Sequence, residues 1–346
     1  MNPTVNKNNG KNRRSGPWHH TLAALVAPAL LLASGAVFAG TAVPESAHQA
    51  SNDPTAAEYA LSPKATPVRH RKAVHEKPAV SVQKQISKLN LKSSSVMVID
   101  AEDSSVLYSK HADVPMPIAS ISKLMTALVV LEAGQPMDEY LEITNDDRDT
   151  EKGTTSRLAP GTELTRKDLL HLALMASENR AAHALGRNYP GGLDAFIPAM
   201  NAKARELGMT SAHFVEPTGL SSQNVSSAAD LIKLVSAASH NPTIRNFSTY
   251  QSYTVPVGRQ MVEFHTTNSL VTKSDWDIMV QKTGYTVDAG RCLVMKALIK
   301  ERAVVMVLLH SVGKNSRVAD AGRVRKWMES TMALNTPDVL RSQNIQ

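Results

Sequence analysis

The stretch from Ile118 to Ala133 constrains this chain more than any other. Read as a helix, it is apolar on nearly every face, and such a helix belongs inside a domain with other elements around it. Before Glu132 its single charge is Lys123. An ammonium taken out of water is costly unless it is paired or neutralised, so the segment that demands burial also predicts a lysine with a depressed pKa. Ser120 stands three residues earlier, a spacing at which two helical side chains share a face and meet. Amides at the helix start lie close to Ser120, ready to receive negative charge. A neutral amine beside a hydroxyl is a general base for a nucleophile. The bland alternative is a helix cap with a snorkelling lysine, and the pair alone does not separate the two. Ser-x-x-Lys also occurs at Ser81/Lys84 and Ser311/Lys314, neither with a lysine on a buried helix.

The elements around that helix follow from periodicity. Ser95 to Asp100 and Val106 to Ser109 are short β-rich runs separated by a polar turn, a hairpin signal. Thr165 with Asp168 three residues later caps a helical stretch from Leu169 to Met175. Helical patterns resume at Arg180–Gly186, Leu193–Leu207 and Ala228–Ala238. Strand-like runs return at Ser252–Val257, Ile278–Lys282, Arg291–Ile299 and Val304–His310, before an amphipathic helix over Ser316–Met332. Strands at both ends with helices between them predict an α/β (α+β) domain in which the first hairpin and the late strands share one sheet.

The ends of the chain read differently. Lys7, Lys11, Arg13 and Arg14 precede an uncharged run from Thr21 to Ala39 that closes on small residues, with Val37 and Ala39 placed for cleavage. This is the grammar of a secretory signal peptide over 1–39. The rival is an uncleaved anchor, since the run of 19 residues just suffices to span a bilayer. Pro28 and the Ala/Gly-rich end favour cleavage. The formal charge of +7 then shrinks, because the remainder holds 34 Lys and Arg against 31 Asp and Glu. That is no footprint for nucleic acid. Residues 40–85, rich in Ala, Pro, Ser, His and Lys, read as a disordered linker, and the cluster Arg69, His70, Arg71, Lys72 offers at most a weak contact with an anionic membrane surface. A compact domain over 86–335 and a short tail over 336–346 complete the division.

Two further tripeptides carry chemistry. Ser177-Glu178-Asn179 interrupts two helical patterns and so lies in a helix-to-helix loop, where a hydroxyl and an amide can relay a proton and bind a peptide carbonyl. A plain turn is its bland reading. Lys282-Thr283-Gly284 ends the strand IMVQ, where glycine lets a substrate backbone approach the edge while lysine and threonine face a carboxylate. A strand end entering a turn is the alternative. Ser-x-Asn recurs at Ser222/Asn224, Ser239/Asn241 and Ser342/Asn344, whereas Lys-Thr-Gly occurs once. Cys292 among apolar residues reads as a buried apolar side chain. His75-Glu76 lacks the second histidine of a metalloprotease, and His171 and His183 read as packing or surface residues. Nothing requires a cofactor or a metal.

In this order the three motifs resemble the active-site set of the penicillin-recognising serine transpeptidases and β-lactamases. The stretches PIASISKLMTALVVLEA, LLHLALMASENRAAHALGR, HFVEPTGLSSQNVSSAADL and WDIMVQKTGYTVDAGRCLVM extend the likeness to low-molecular-mass penicillin-binding proteins. Within these it points to the D-alanyl-D-alanine endopeptidases of the penicillin-binding protein 7 type. The resemblance implies a central antiparallel sheet flanked by helices, with a helical subdomain. It implies that Ser120 attacks a D-alanine carbonyl, that Lys123 takes its proton, that Ser177 passes a proton to the leaving amine and that Asn179 holds the substrate amide. Lys282, Thr283 and Gly284 would bind the carboxylate end, the backbone N–H groups of Ser120 and Tyr285 would hold the oxyanion, and Arg291 would assist at the carboxylate. The implied partners are peptidoglycan peptide cross-links and β-lactam antibiotics, and the implied location is the periplasm. Glu151, Glu163 and Glu178 are not followed by the Leu-Asn pattern of penicillin-degrading relatives, so slow deacylation is expected. Carboxypeptidase members usually carry a second β-rich domain and a C-terminal anchor. Their absence favours the endopeptidase, with a D-alanyl-D-alanine carboxypeptidase or a non-catalytic wall-binding protein as alternatives.

Overall fold

A computed structural model describes residues 89–334, so the predicted leader, the whole of the linker, including His75-Glu76 and the Ser81/Lys84 pair, and the C-terminal tail lie outside the described residues. The order is β1 (Ser93–Asp100), β2 (Val106–Lys110), β3 (Met116–Pro117), a 3-10 turn (Ala119–Ile121), α1 (Ser122–Glu132), β4 (Tyr140–Glu142), β5 (Glu163–Thr165), α2 (Arg166–Met175) and α3 (Asn179–Arg187). It continues through α4 (Gly192–Glu206), β6 (Val225–Ser226), α5 (Ala228–His240), α6 (Pro242–Thr249), β7 (Ser252–Val257) and β8 (Gln260–His265). The chain then closes with β9 (Asp277–Thr286), β10 (Gly290–Ile299), β11 (Arg302–Ser311) and α7 (Ser316–Leu334).

Five strands form an antiparallel sheet in the order β2-β1-β11-β10-β9, so the first hairpin does join the late strands. The run VVMVLL in β11 shows why this sheet is buried on both sides. Side chains alternate across a strand. Val304, Met306 and Leu308 meet Ala321, Val324 and Met328 of α7, whereas Val305, Val307 and Leu309 belong to the core shared with the helical half. Asp320 of α7 accepts hydrogen bonds from the backbone N–H groups of Lys92 and Ser93 and from the Ser93 hydroxyl, tying that helix to β1.

On the other side α1 occupies the centre, with every residue from Ser122 to Val130 buried. Helices α2, α3, α4, α5 and α6 all contact it. Each of Leu124 and Leu128 contributes about 1.5–3 kcal/mol by burial, which offsets the placement of Lys123 among them. The Thr165–Asp168 capping box starts α2 as expected.

Three expectations need correction. Lys282-Thr283-Gly284 does not end a strand; β9 runs on to Thr286, because Gly284 and Tyr285 pair with Cys292 and Arg291 of β10. The run at Ser252–Val257 stays out of the main sheet and pairs with β8, a strand whose alternation is masked by Gln260, Glu263 and His265 at exposed positions. Helix α6 has no counterpart in the periodicity; it begins at Asn241, whose side chain accepts from the Thr243 and Ile244 amides, with Pro242 at the first helical position.

Candidate active site

Ser120 lies in the 3-10 turn that leads into α1, and Lys123 in the first turn of that helix. Lys123 Nζ donates to Ser120 Oγ at 2.8 Å, to Asn179 Oδ1 at 2.7 Å and to the Thr218 carbonyl at 2.6 Å. The amine is fully buried, and that burial lowers its pKa to about 8 against the opposing pull of the Glu216 and Glu178 charges. Asn179 is the first residue of α3, and its Nδ2 donates to Thr154 Oγ1 at 3.0 Å. Ser177 is held in the left-handed region, φ 61°, and its Oγ accepts from Lys282 Nζ at 2.7 Å. Lys282 is also fully buried, and its pKa falls well below the usual value through burial first, then the charges of Lys123 and Arg317. Three distant segments therefore supply two hydrogen-bonded groups, Lys123 with Ser120 and Asn179 and Lys282 with Ser177, with the Lys123 charge close enough to depress the Lys282 pKa.

β9 brings the third motif in as the edge strand of the sheet. Gly284 is needed here for a different reason from the one its sequence position suggests. A Cβ on it would lie 2.9 Å from the Ile118 carbonyl oxygen and 3.2 Å from the Ser120 amide nitrogen, so glycine lets the strand press against the turn that holds the serine. Thr283 is buried, and its Oγ1 lies 2.5 Å from Thr267 Oγ1. Tyr285 is 54% exposed, and the Arg291 guanidinium stacks 4.3 Å from its ring centroid. Arg317 on α7 reaches the same end of the strand, donating to the Gly284 carbonyl at 2.5 Å and to the Cys292 carbonyl at 3.2 Å. Burial, with the neighbouring Arg291 charge, lowers the Arg317 pKa to about 10.

The loop from His213 to Asn224 is what the motifs alone do not reveal. The Glu216 carboxylate accepts from the backbone N–H groups of Thr218 and Gly219 at 2.6 Å each and from the Thr218 hydroxyl at 2.6 Å. Asn224 is fully buried; its Nδ2 donates to Ser122 Oγ and to Glu216, while its Oδ1 accepts from the Val215 amide. Thr126 of α1 donates to the Pro217 carbonyl at 2.6 Å. Together these bonds aim the Thr218 carbonyl at Lys123. Gly219, at φ +83°, passes so close that a Cβ would sit 1.9 Å from the Ala119 carbonyl oxygen. Asn224 belongs to the second Ser-x-Asn of the chain, so that copy is a scaffold for the lysine. Its spacing carries no signal of the role, because the contact spans 102 residues.

Cys292 is buried and its thiol is pushed up to about 11 by desolvation, as an apolar core residue. His171 stacks on Phe247 and Tyr253 and is held near 4 by burial, which makes it a packing residue. His183 contacts the Asp147 carboxylate at 2.8 Å. A cleft of about 300 Å³ opens beside Asn179 and Thr218 and runs under the loop Asn145–Glu151. Lys152 and Asp288 join that loop to the β9–β10 turn at 2.7 Å. A larger hollow of about 850 Å³, between residues 269–276 and α7, contains none of the motif residues.

A family model described as peptidase S11, D-alanyl-D-alanine carboxypeptidase, matches residues 81–312. The chain belongs to this family. It is 46% identical over 260 residues to a D-alanyl-D-alanine endopeptidase of Escherichia coli (strain K12), covering 72% of this chain and 82% of that protein. Against a D-alanyl-D-alanine endopeptidase of Pseudomonas aeruginosa the identity is 44% over 258 residues, covering 74% and 83%. A D-alanyl-D-alanine carboxypeptidase of Bacillus subtilis is 31% identical over 219 residues, covering 62% and 56%. Among solved structures, the Streptomyces K15 DD-transpeptidase superposes with TM-score 0.63 at 26% identity, covering 69% of this chain and 97% of that one. Penicillin-binding protein D2 from Listeria monocytogenes, in its cefotaxime-bound form, gives 0.61 at 29%, covering 69% and 97%. The S11 family consists of serine D,D-peptidases, so the enzymatic reading and the fold expected from the motifs both stand. No helix among the described residues is long and apolar enough to cross a membrane.

Proposed function

We propose that this S11 peptidase is a serine D,D-endopeptidase that hydrolyses D-alanyl cross-links in peptidoglycan through an acyl-enzyme on Ser120. The observation that carries the reading is the 2.8 Å contact between Ser120 Oγ and a fully buried Lys123 whose pKa has fallen to about 8. In its neutral fraction Lys123 takes the Ser120 proton as Oγ bonds to the carbonyl carbon of the donor D-alanine. The negative charge that develops on the carbonyl oxygen goes to the backbone N–H groups of Ser120 and Tyr285, each worth roughly a hundred- to a thousandfold in rate. Ser177, charged with a proton through Lys282, protonates the departing amine as the C–N bond breaks. Asn179 orients the peptide amide. The proton taken from Ser120 passes on to refill Ser177 and leaves Lys123 neutral; water then attacks the ester carbonyl, Lys123 takes its proton and returns it to Ser120 Oγ as the ester C–O bond breaks, and the donor leaves as a free acid.

The donor peptide lies along the open edge of β9, with its carboxylate end at Thr283 and the cationic end formed by Arg291 and Arg317, beside Lys282. Of the two arginines, Arg317 is the better supported, because it touches the backbone of the motif itself. β-Lactams acylate Ser120 by the same attack. The higher identity to relatives named endopeptidases supports that branch over a carboxypeptidase. Residues 1–39 act as a secretory signal, 40–85 as a linker and 86–335 as the peptidase domain, which places the enzyme in the periplasm; the amino terminus of the exported protein should fall after Ala39.

The test is product analysis with purified sacculi and cross-linked muropeptide dimers. Monomers are expected, with nothing formed by Ser120→Ala. Free D-alanine from pentapeptides, with dimers left intact, would establish the carboxypeptidase instead. Labelling of Ser120→Ala by a fluorescent penicillin at the wild-type level would remove Ser120 as nucleophile.

A further inference from the structure

Thr267 stands between the second and third motifs and belongs to neither. Its backbone N–H donates to the carbonyl of Met175, the last residue of α2 and two residues before Ser177, at 3.3 Å. Its hydroxyl meets that of Thr283 at 2.5 Å. One residue thus ties the loop carrying Ser177 to the strand carrying Lys282 and Thr283. Thr267 is itself exposed, whereas Thr283 is buried, and Thr283 Oγ1 has no other hydrogen-bond partner among the described residues.

A hydroxyl has one proton to give and two lone pairs. In the pair Thr267–Thr283 either oxygen serves as donor while the site is empty. A carboxylate changes that, because it only accepts. For Thr283 to hold one, its single proton must point at the ligand, and Thr267 must then supply the proton of the bond between the two threonines. Resting on the assignment of Thr283 to the donor's carboxylate, we propose that Thr267 is a positioning residue that sets the direction of the Thr283 hydroxyl and thereby the enzyme's selectivity for a free carboxylate. The exposed setting of Thr267 leaves it open to exchange without emptying the core.

The experiment compares acylation of the full mature chain by a penicillin and by the methyl ester of the same penicillin, in wild type, Thr267→Val, Thr267→Ser and Ser120→Ala. The isosteric Thr267→Val should lower the acylation rate constant for the free acid about fivefold to tenfold, the worth of one neutral hydrogen bond, and leave the ester within about twofold. Thr267→Ser should restore the preference for the acid. An equal loss on acid and ester would mark Thr267 as a structural tie between motifs and overturn the inference, as would unchanged selectivity in Thr267→Val. Ser120→Ala keeps the two levels apart: if it still labels, the underlying mechanism fails, whereas silent Ser120→Ala with unaltered Thr267→Val refutes this inference alone.

Discussion

Lys123 offers the most direct test of the proposed chemistry, because the base role proposed for it depends on a protonation state that pH controls. With the pKa lowered to about 8, the amine is neutral in roughly 1% of molecules at pH 6, roughly 9% at pH 7 and half at pH 8. If deprotonation of Ser120 limits acylation, the rate constant should rise about tenfold from pH 6 to 7, about fivefold from 7 to 8, and level off above roughly pH 9. The assay is the rate of covalent labelling by a fluorescent penicillin across that range. Glu216 and Glu178 both hold the lysine's pKa up, and Glu178 carries no hydrogen bonds in the Glu216 loop. Glu178→Gln should therefore move the profile toward lower pH. Lys123→Arg keeps a cation in place but removes a group that deprotonates, so labelling should fall by about a hundred- to ten-thousandfold. A profile flat between pH 6 and 8, or an Arg variant that labels at the wild-type rate, would refute the lysine as base. Stability follows the same sign: between about pH 8 and the unfolded value near 10.5 only the unfolded chain binds this proton, so the folded state gains stability as pH rises there.

Other outcomes follow from close contacts. Gly219→Ala forces a Cβ to within 1.9 Å of the Ala119 carbonyl at a positive φ, so it should displace the Ser120 turn, abolish labelling and lower the thermal midpoint by several degrees in calorimetry. His171, held near 4 by burial, is neutral in the fold while the unfolded chain protonates it near 6.5. Stability should therefore fall by up to about 3 kcal/mol as pH drops from 6.5 toward 4, a loss that the His171→Phe variant lacks in urea titrations at both pH values. The Lys152–Asp288 pair is partly exposed, so Lys152→Ala should leave the urea midpoint close to that of wild type.

Some of this protein was decided residue by residue along the chain. The central helix is one such part, since its run ISKLMTALVVL is apolar on nearly every face, and the shared face of Ser120 and Lys123 follows from their spacing, whereas only the fold chose the buried lysine over a snorkelling one. The β11 run VVMVLL and the Thr165–Asp168 cap are equally local, because strand alternation and capping depend on residues within one or two turns. The rest required the folded chain. Lys123 is poised by Asn179 and by the Thr218 carbonyl, 56 and 95 residues away, and neither distance leaves a periodicity to read. The buried Asn224, the glycine contacts at 219 and 284, the reach of Arg317 to β9 and the Thr267–Thr283 pair are products of packing: each depends on which surfaces the sheet and helices bring within 3 Å or so, a matter of global geometry. Local composition selects what each segment becomes. Packing and hydrogen bonds between segments select what the site can do, because the first desolvates one amine and the second directs it at one hydroxyl.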